Sequence, residues 1–310
     1  MEKIISIILP VILILGLGML CRKKQLLNDS QIDGVKSVSV KFLWPAVLFY
    51  AFFTAHYGKE VILYAAINFV TMLLAFLLGF FLRKRAKSHA FSYPYLMSGL
   101  ETGMIGYPLY GLLFQNQEIS YLALLDVGHA LFIFPIFLSY MAYEQSGSKE
   151  KNLKKSFLDM LRSPIMIALI VGMICGISGF GDLVMTSGAG EVIDKLYAII
   201  SNANTLMILL AMGYSISFTL SQIRESMKVI VIRLIYMAVM TTLSLLLINA
   251  VVGLNKYLLC AVIVTFIMPP VYMLGLYVKD KKENEFCATT ASMYTVISII
   301  AFIIMTIVVI

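Results

Sequence analysis

Ser98–Gln115 reads SGLETGMIGYPLYGLLFQ. The stretch sets one carboxylate, Glu101, and four glycines, Gly99, Gly103, Gly106 and Gly111, in otherwise apolar sequence, with Tyr107 and Pro108 among them. Lipid offers no partner for a freed backbone group, so a span this rich in glycine with a proline inside it has to be buried in protein or line a cavity. An ionisable residue at that depth marks a functional site by default. The stretch therefore reads as a broken membrane helix at a transport site.

The rest of the chain supplies the membrane protein that this reading needs. Of the 310 residues, 60% are hydrophobic and 13% charged, with a mean hydropathy of +0.91; an average soluble domain carries about 25% charged residues. The net charge of +7 raises the question of a nucleic-acid partner. Lys and Arg sit in short clusters between apolar spans rather than on one basic face, which argues against nucleic acid and for membrane orientation. Cys21, Cys175, Cys260 and Cys287 fall on separate apolar segments with no CxxC pair and no metal set, so they read as small core residues and no cofactor is expected.

Working outward from Ser98–Gln115, ten apolar spans are expected: Ile4 to Cys21, Val35 to Ala55, Val61 to Leu82, Ala90 to Gln115, Ile119 to Tyr143, Pro164 to Phe180, Val192 to Leu220, Val229 to Gly253, Tyr257 to Val278 and Phe286 to Ile310. Each has about 17 residues or more, enough for a hydrocarbon core of about 30 Å. Arg22, Lys23 and Lys24 follow the first span instead of preceding it, the order of an uncleaved span rather than a signal peptide. The loops after spans one, three, five, seven and nine, with adjoining span ends, hold 20 of the 24 Lys and Arg; Lys3, Lys59, Lys195 and Lys256 fall on the opposite side. The positive-inside rule then puts both termini outside the cell membrane and the polar midpoint in the cytoplasm. The domain reading is 1–145 for a first five-helix repeat, 146–156 for a cytoplasmic linker and 157–310 for a second.

Five is odd, so a second set of five spans enters the membrane with the opposite orientation, and homologous halves would form an inverted repeat. The fold class expected is an all-α integral membrane protein of ten transmembrane helices, in two inverted five-helix repeats with broken, crossing helices four and nine. Span nine carries Met268-Pro269-Pro270-Val271-Tyr272, a double proline where a helix loses backbone donors. Paired interruptions at one ordinal position in both halves point to a transporter's binding site. The substrate-binding candidates are therefore Glu101, Thr102, Gly103, Gly106, Tyr107 and Pro108 on span four, with Met268, Pro269, Pro270 and Tyr272 on span nine.

Over most of its length the chain resembles the auxin efflux carrier family. LPVILILGLGML, FLWPAVLF, ETGMIGYPL and the proline of span nine carry the resemblance. The family's fourth-span pattern is Asn-x-Gly-x-x-Gly-x-Pro-Leu; Gly103, Gly106, Pro108 and Leu109 match it, and Glu101 stands where the family has Asn. The resemblance implies two five-span inverted repeats crossing at their prolines, as in bile acid sodium symporters. It further implies a scaffold of spans one, two, six and seven and a moving unit of the other six, an elevator-like carrier.

Half-helix N-termini suit a substrate carboxylate and half-helix C-termini a cation, so a small organic anion is the solute expected, with a proton or sodium as coupling ion. Glu101 opposes an anion when ionised. Either it is protonated, or it holds a coupling ion or a cationic solute, or it is a structural carboxylate paired with His129 or a tyrosine hydroxyl. Asp126 and His129 lie three apart on one face of span five, either a proton relay with Glu101 or a satisfied buried pair. His56 and His89 read as solvated loop-end residues. Asn202 and Asn204 read as helix-packing residues, and Thr289, Thr290 and Ser292 as groups that bond back to their own helix. The chain shows no nucleophile or metal motif for an intramembrane enzyme; a carrier fits it better than a channel, which more often repeats a pore motif, or a sensor, which usually has a soluble output domain, and these two stay as alternatives of another class. Membrane lipids are the evident surroundings, and a homodimer is left open.

Overall fold

A computed structural model of the chain describes residues 2–309 apart from 56, 87, 115–117, 146–157, 159–160, 217, 272–273, 275–277 and 279. The expected linker 146–156, the loop-end residue His56 and the candidate Tyr272 thus lie outside the described residues. Among the described residues the structure is helical, with no strand. In chain order the α-helices are α1 (Glu2–Lys23), α2 (Asp29–Val38), α3 (Trp44–Phe53), α4 (Glu60–Arg83), α5 (Tyr93–Met97), α6 (Tyr107–Phe114), α7 (Ile119–Phe132) and α8 (Ser139–Gln145). There follow α9 (Pro164–Ile177), α10 (Phe180–Met185), α11 (Ala189–Ser215), α12 (Ile223–Val251), α13 (Lys256–Ile267) and α14 (Lys281–Val309).

Among the described residues, six helical runs are long and apolar enough to cross a membrane: Asp29–Phe53, Glu60–Arg83, Ile119–Met141, Ala189–Ser215, Leu220–Val251 and Lys281–Val309. Pro164–Ile177 and Lys256–Ile267 are shorter apolar helices. The outward surface is hydrocarbon-like, with Ile62, Leu183, Ile199, Leu246 and Val308 each more than half exposed. Apolar groups outside and polar groups bonded inside are what a lipid solvent selects.

Among the described residues, three stretches widen into π-helix, at Ser39–Leu43, Thr102–Gly106 and Ile133–Leu138. Pro45 and Pro108 follow the first two closely, and Pro135 lies within the third. A proline ring clashes with the carbonyl one turn back, and a locally wider turn relieves that clash without ending the helix. At Trp44-Pro45 the chain takes this form, with Asp29–Phe53 running through it as one span.

Two sets of helices pack more closely within themselves than with each other. In one, α1 lies along α11 and α9 along α3. Tyr50 of α3 stacks on Tyr197 of α11 with ring centroids 3.7 Å apart, its hydroxyl donating to Asp194 at 2.6 Å. Ser39 donates to Asn204, the helix-packing role expected for that asparagine. In the other set, α4 packs on α5 and α7, and α12 on α13 and α14. Asn68 Nδ2 donates to the Leu125 carbonyl at 2.9 Å, Tyr236 to the Thr71 carbonyl at 2.6 Å, and Thr290 to Ser226 at 2.9 Å. Thr290 also bonds back to the Phe286 carbonyl, as expected, whereas Thr289 accepts the Thr219 N–H.

His89 corrects the sequence reading. It is not a solvated loop end: its backbone is left-handed (φ 56°), its ring stacks on Phe286 at 4.2 Å, and its Nδ1 lies 3.0 Å from Glu283 Oε2. Glu283 also accepts from Ser92 at 2.9 Å, so these side chains tie the segment entering α5 to the start of α14. Cys21, Cys260 and Cys287 are buried as expected, while Cys175 is half-buried; all four are free thiols.

Candidate functional site

The stretch Ser98–Gln115 breaks its helix, but not at the proline. Helix α5 ends at Met97, Ser98 is extended (φ −107°, ψ 178°), Gly99 is left-handed (φ 70°), and helical geometry resumes at Thr102. Pro108 sits two residues beyond the π-helical stretch, whose wider turn takes up the clash of the proline ring. Gly99 is required twice over: L-side chains rarely adopt its φ, and a Cβ there would lie 2.8 Å from Val271 Cγ2. In span nine the prolines do make the break. Helix α13 stops at Ile267, and Met268 is extended (ψ 144°), the conformation a following proline imposes.

The two breaks touch. The Glu101 N–H donates to the Pro269 carbonyl at 3.0 Å, and Met268 Cγ lies 3.7 Å from where a Cβ on Gly106 would stand. Tyr110 of α6 donates to the Tyr257 carbonyl at the start of α13 at 3.1 Å. Ser298 of α14 donates to the Ile267 carbonyl, capping the end of α13. Glu101, Gly106, Met268 and Pro269 thus meet at one crossing, and Thr102, Gly103, Tyr107, Pro108 and Pro270 adjoin them in the sequence.

Among the described residues, the buried Asp, Glu, His and Arg side chains are Glu101, Asp126, His129 and Arg233, and all four belong to this crossing. His129 Nε2 accepts the Leu100 N–H at 3.1 Å, which fixes it as the acceptor nitrogen and puts the ring proton on Nδ1. That Nδ1–H faces Asp126 Oδ1 at 3.0 Å, and the Tyr107 hydroxyl donates to Asp126 Oδ2 at 3.3 Å. A continuous chain therefore runs from the backbone of the span-four break through His129 and Asp126 back to Tyr107 on the second half-helix. The pairing of Asp126 with His129 follows from their i, i+3 spacing; the closure onto Leu100 and Tyr107 does not.

Arg233 of α12 is the residue that sequence reasoning missed. It is fully buried and reaches both breaks: Nη1 donates to the carbonyls of Leu96, Met97 and Ser98 at 2.7, 2.8 and 3.3 Å, and Nη2 to those of Gly99 and Met268 at 2.9 and 3.3 Å. Its guanidinium also lies 5.1 Å from the Tyr294 ring centroid. The signal was present, because Arg233 stands alone between Val229–Ile232 and Leu234–Met240, the pattern that singled out Glu101. It lies close to a span end, where the sequence alone groups it with the loop cations. Without it the charge bias is 19 to 4, and its sign stands.

The crossing also meets the other helix set. The Trp44 indole packs directly on the Cα of Gly103, leaving no room for a Cβ. Beside this contact, Trp44 Nε1 and Thr102 Oγ1 are buried with no hydrogen-bond partner. Buried polar groups are nearly always paired, so such a pair of orphans calls for a functional explanation.

Broken apolar helices that meet at a buried charged crossing are where broken-helix transporters place their binding sites. Residues 3–310 match the model of the family described as Membrane transport protein, and the chain belongs to that family, which is of the auxin efflux carrier type. This is a family of transporters rather than enzymes. No curated protein matches the chain.

Proposed function

We propose that the protein is a secondary carrier of a small organic anion, a carboxylate being the simplest case, working by proton-coupled alternating access in the cell membrane. The observation that carries this reading is the contact between the two breaks, with the Glu101 N–H bonded to the Pro269 carbonyl amid the buried Asp, Glu, His and Arg side chains of the described residues. The ten apolar segments would form two inverted five-span repeats, 1–145 and 157–310, with both termini outside. The four-helix set around α1, α3, α9 and α11 would be the scaffold. The set holding the crossing would move against it.

The solute would bind where the crossing meets the scaffold. Trp44 Nε1–H and the Thr102 hydroxyl are donors without partners there, and the N–H groups of Thr102 and Gly103 open the second half-helix of span four. Such donors suit a carboxylate. The coupling proton would reside on Glu101 or on Asp126, whose two oxygens face the His129 Nδ1–H and the Tyr107 hydroxyl. Loading on one face and release on the other would tie solute movement to the proton gradient.

The test begins with thermal stability of the purified protein against mono- and dicarboxylates, aromatic acids and amino acids across pH, since a ligand of the native state raises its midpoint. Acids that stabilise are then reconstituted in proteoliposomes. Saturable uptake, counterflow and acceleration by an inward proton gradient are expected. Unsaturable flux without counterflow would make the protein a channel, and stabilisation by cations but not by acids would refute the anion assignment.

A further inference from the structure

We propose that Arg233 is the resident cation of the crossing, holding the carbonyl cage that a free alkali cation would otherwise enter, and that it makes this chain independent of sodium. The inference rests on the carrier reading and adds to it the identity of the group that neutralises the breaks.

Two broken helices leave unpaired carbonyls at the ends of their first halves, and each such end carries partial negative charge. Free cations collect at such ends in broken-helix transporters. Here five of these oxygens, from Leu96, Met97, Ser98, Gly99 and Met268, all lie within 3.3 Å of the Arg233 guanidinium nitrogens. The donors come from a single side chain that is completely buried, so the positive charge is built in rather than borrowed from solution. An alkali ion entering the cage would have to displace the guanidinium and leave it buried without its partners, a strongly unfavourable exchange. The planar fork also spans both breaks at once, which a spherical ion does only if the carbonyls close around it. Arg233 is thus a positioning residue. It fixes how span four meets span nine.

The experiment uses the full-length protein in lipid nanodiscs, with sodium, potassium, guanidinium or choline chloride at constant ionic strength. For the wild type, the thermal midpoint is expected to be equal in sodium, potassium and choline. Arg233→Ala opens the cage, and either guanidinium or sodium should then raise its midpoint saturably, by about 2 °C or more. Arg233→Lys, which keeps a tethered cation, should show no such response. A saturable, sodium-specific rise in the wild type overturns the proposal. So does a folded Arg233→Ala protein that ignores every cation, because the arginine would then be a structural cap only. If Arg233→Ala does not survive purification, the sodium titrations of the wild type and of Arg233→Lys decide the matter, a response in either sinking the idea. No solute is needed, so failure here leaves the carrier reading intact. Absence of flux in proteoliposomes would sink the carrier reading without altering these titrations.

Discussion

The backbone N–H of Glu101 donates to the carbonyl of Pro269 at 3.0 Å across a sequence separation of more than half the chain. One interrupted helix thereby satisfies a group that the other leaves open, which is how irregular backbone persists at membrane depth. Everything that gives the crossing its charge lies within reach of this contact: Arg233 on the carbonyl side, and His129 with Asp126 on the Leu100 side.

Gly99→Ala should dismantle this geometry. The left-handed φ of 70° costs an L-residue about 1–2 kcal/mol, and the new methyl would press on Val271. Membrane insertion should survive while the thermal midpoint falls and transport is lost. Wild-type transport by this variant would show that the break is not held as described.

Gly103→Ala tests the seam between the two helix sets. Its methyl would overlap the Trp44 indole, and overpacking of this kind costs about 1–3 kcal/mol. Trp44→Phe should relieve part of that loss, so a double-mutant cycle on stability and on initial uptake rate should show coupling of more than about 0.5 kcal/mol. Additive effects would mean that the two residues do not share a surface in the working protein.

Glu101→Gln and Asp126→Asn separate the two candidate proton carriers. The variant that removes the coupling group should keep solute binding and exchange but lose pH dependence and gradient-driven accumulation. The other should lose stability without changing the pH profile of transport. Tyr107→Phe removes only the 3.3 Å donor to Asp126, so it should slow pH-linked uptake less than Asp126→Asn does. Unchanged pH profiles in both carboxyl variants would refute proton coupling at this crossing.

Cysteines placed at Tyr57 and Asn255 should react from outside intact cells with an impermeant reagent, and those at Lys24 and Ser88 should not. The 19 to 4 charge bias motivates this orientation. Labelling of Ser88→Cys from outside would remove the inverted repeat and with it the scaffold assignment.

Much of this was legible in the chain alone. Apolar segments separated by basic clusters give a multi-pass helical protein because lipid selects for them, whatever the packing. Glycines around Glu101 and the Pro269-Pro270 pair mark the interruptions because they act on the local backbone. The i, i+3 spacing on α7 brings Asp126 to His129 for the same reason, since a helix brings such side chains together wherever it lies.

The tertiary structure decided where each break falls and what neutralises it. Pro108 looked like the break of span four, yet the π-helical turn before it absorbs the proline and the chain opens at Ser98–Glu101. Arg233 looked like a loop cation because its sequence neighbourhood is a span end. Only packing α12 against both breaks brings its guanidinium to carbonyls more than 130 residues away at the end of α5 and in the break after it, and to Met268, 35 residues away. His89 likewise took its partners from α14. Local chemistry fixes conformation residue by residue, but a buried charge is matched by whatever the fold brings to it, and in this chain the matching groups come from segments far apart in sequence.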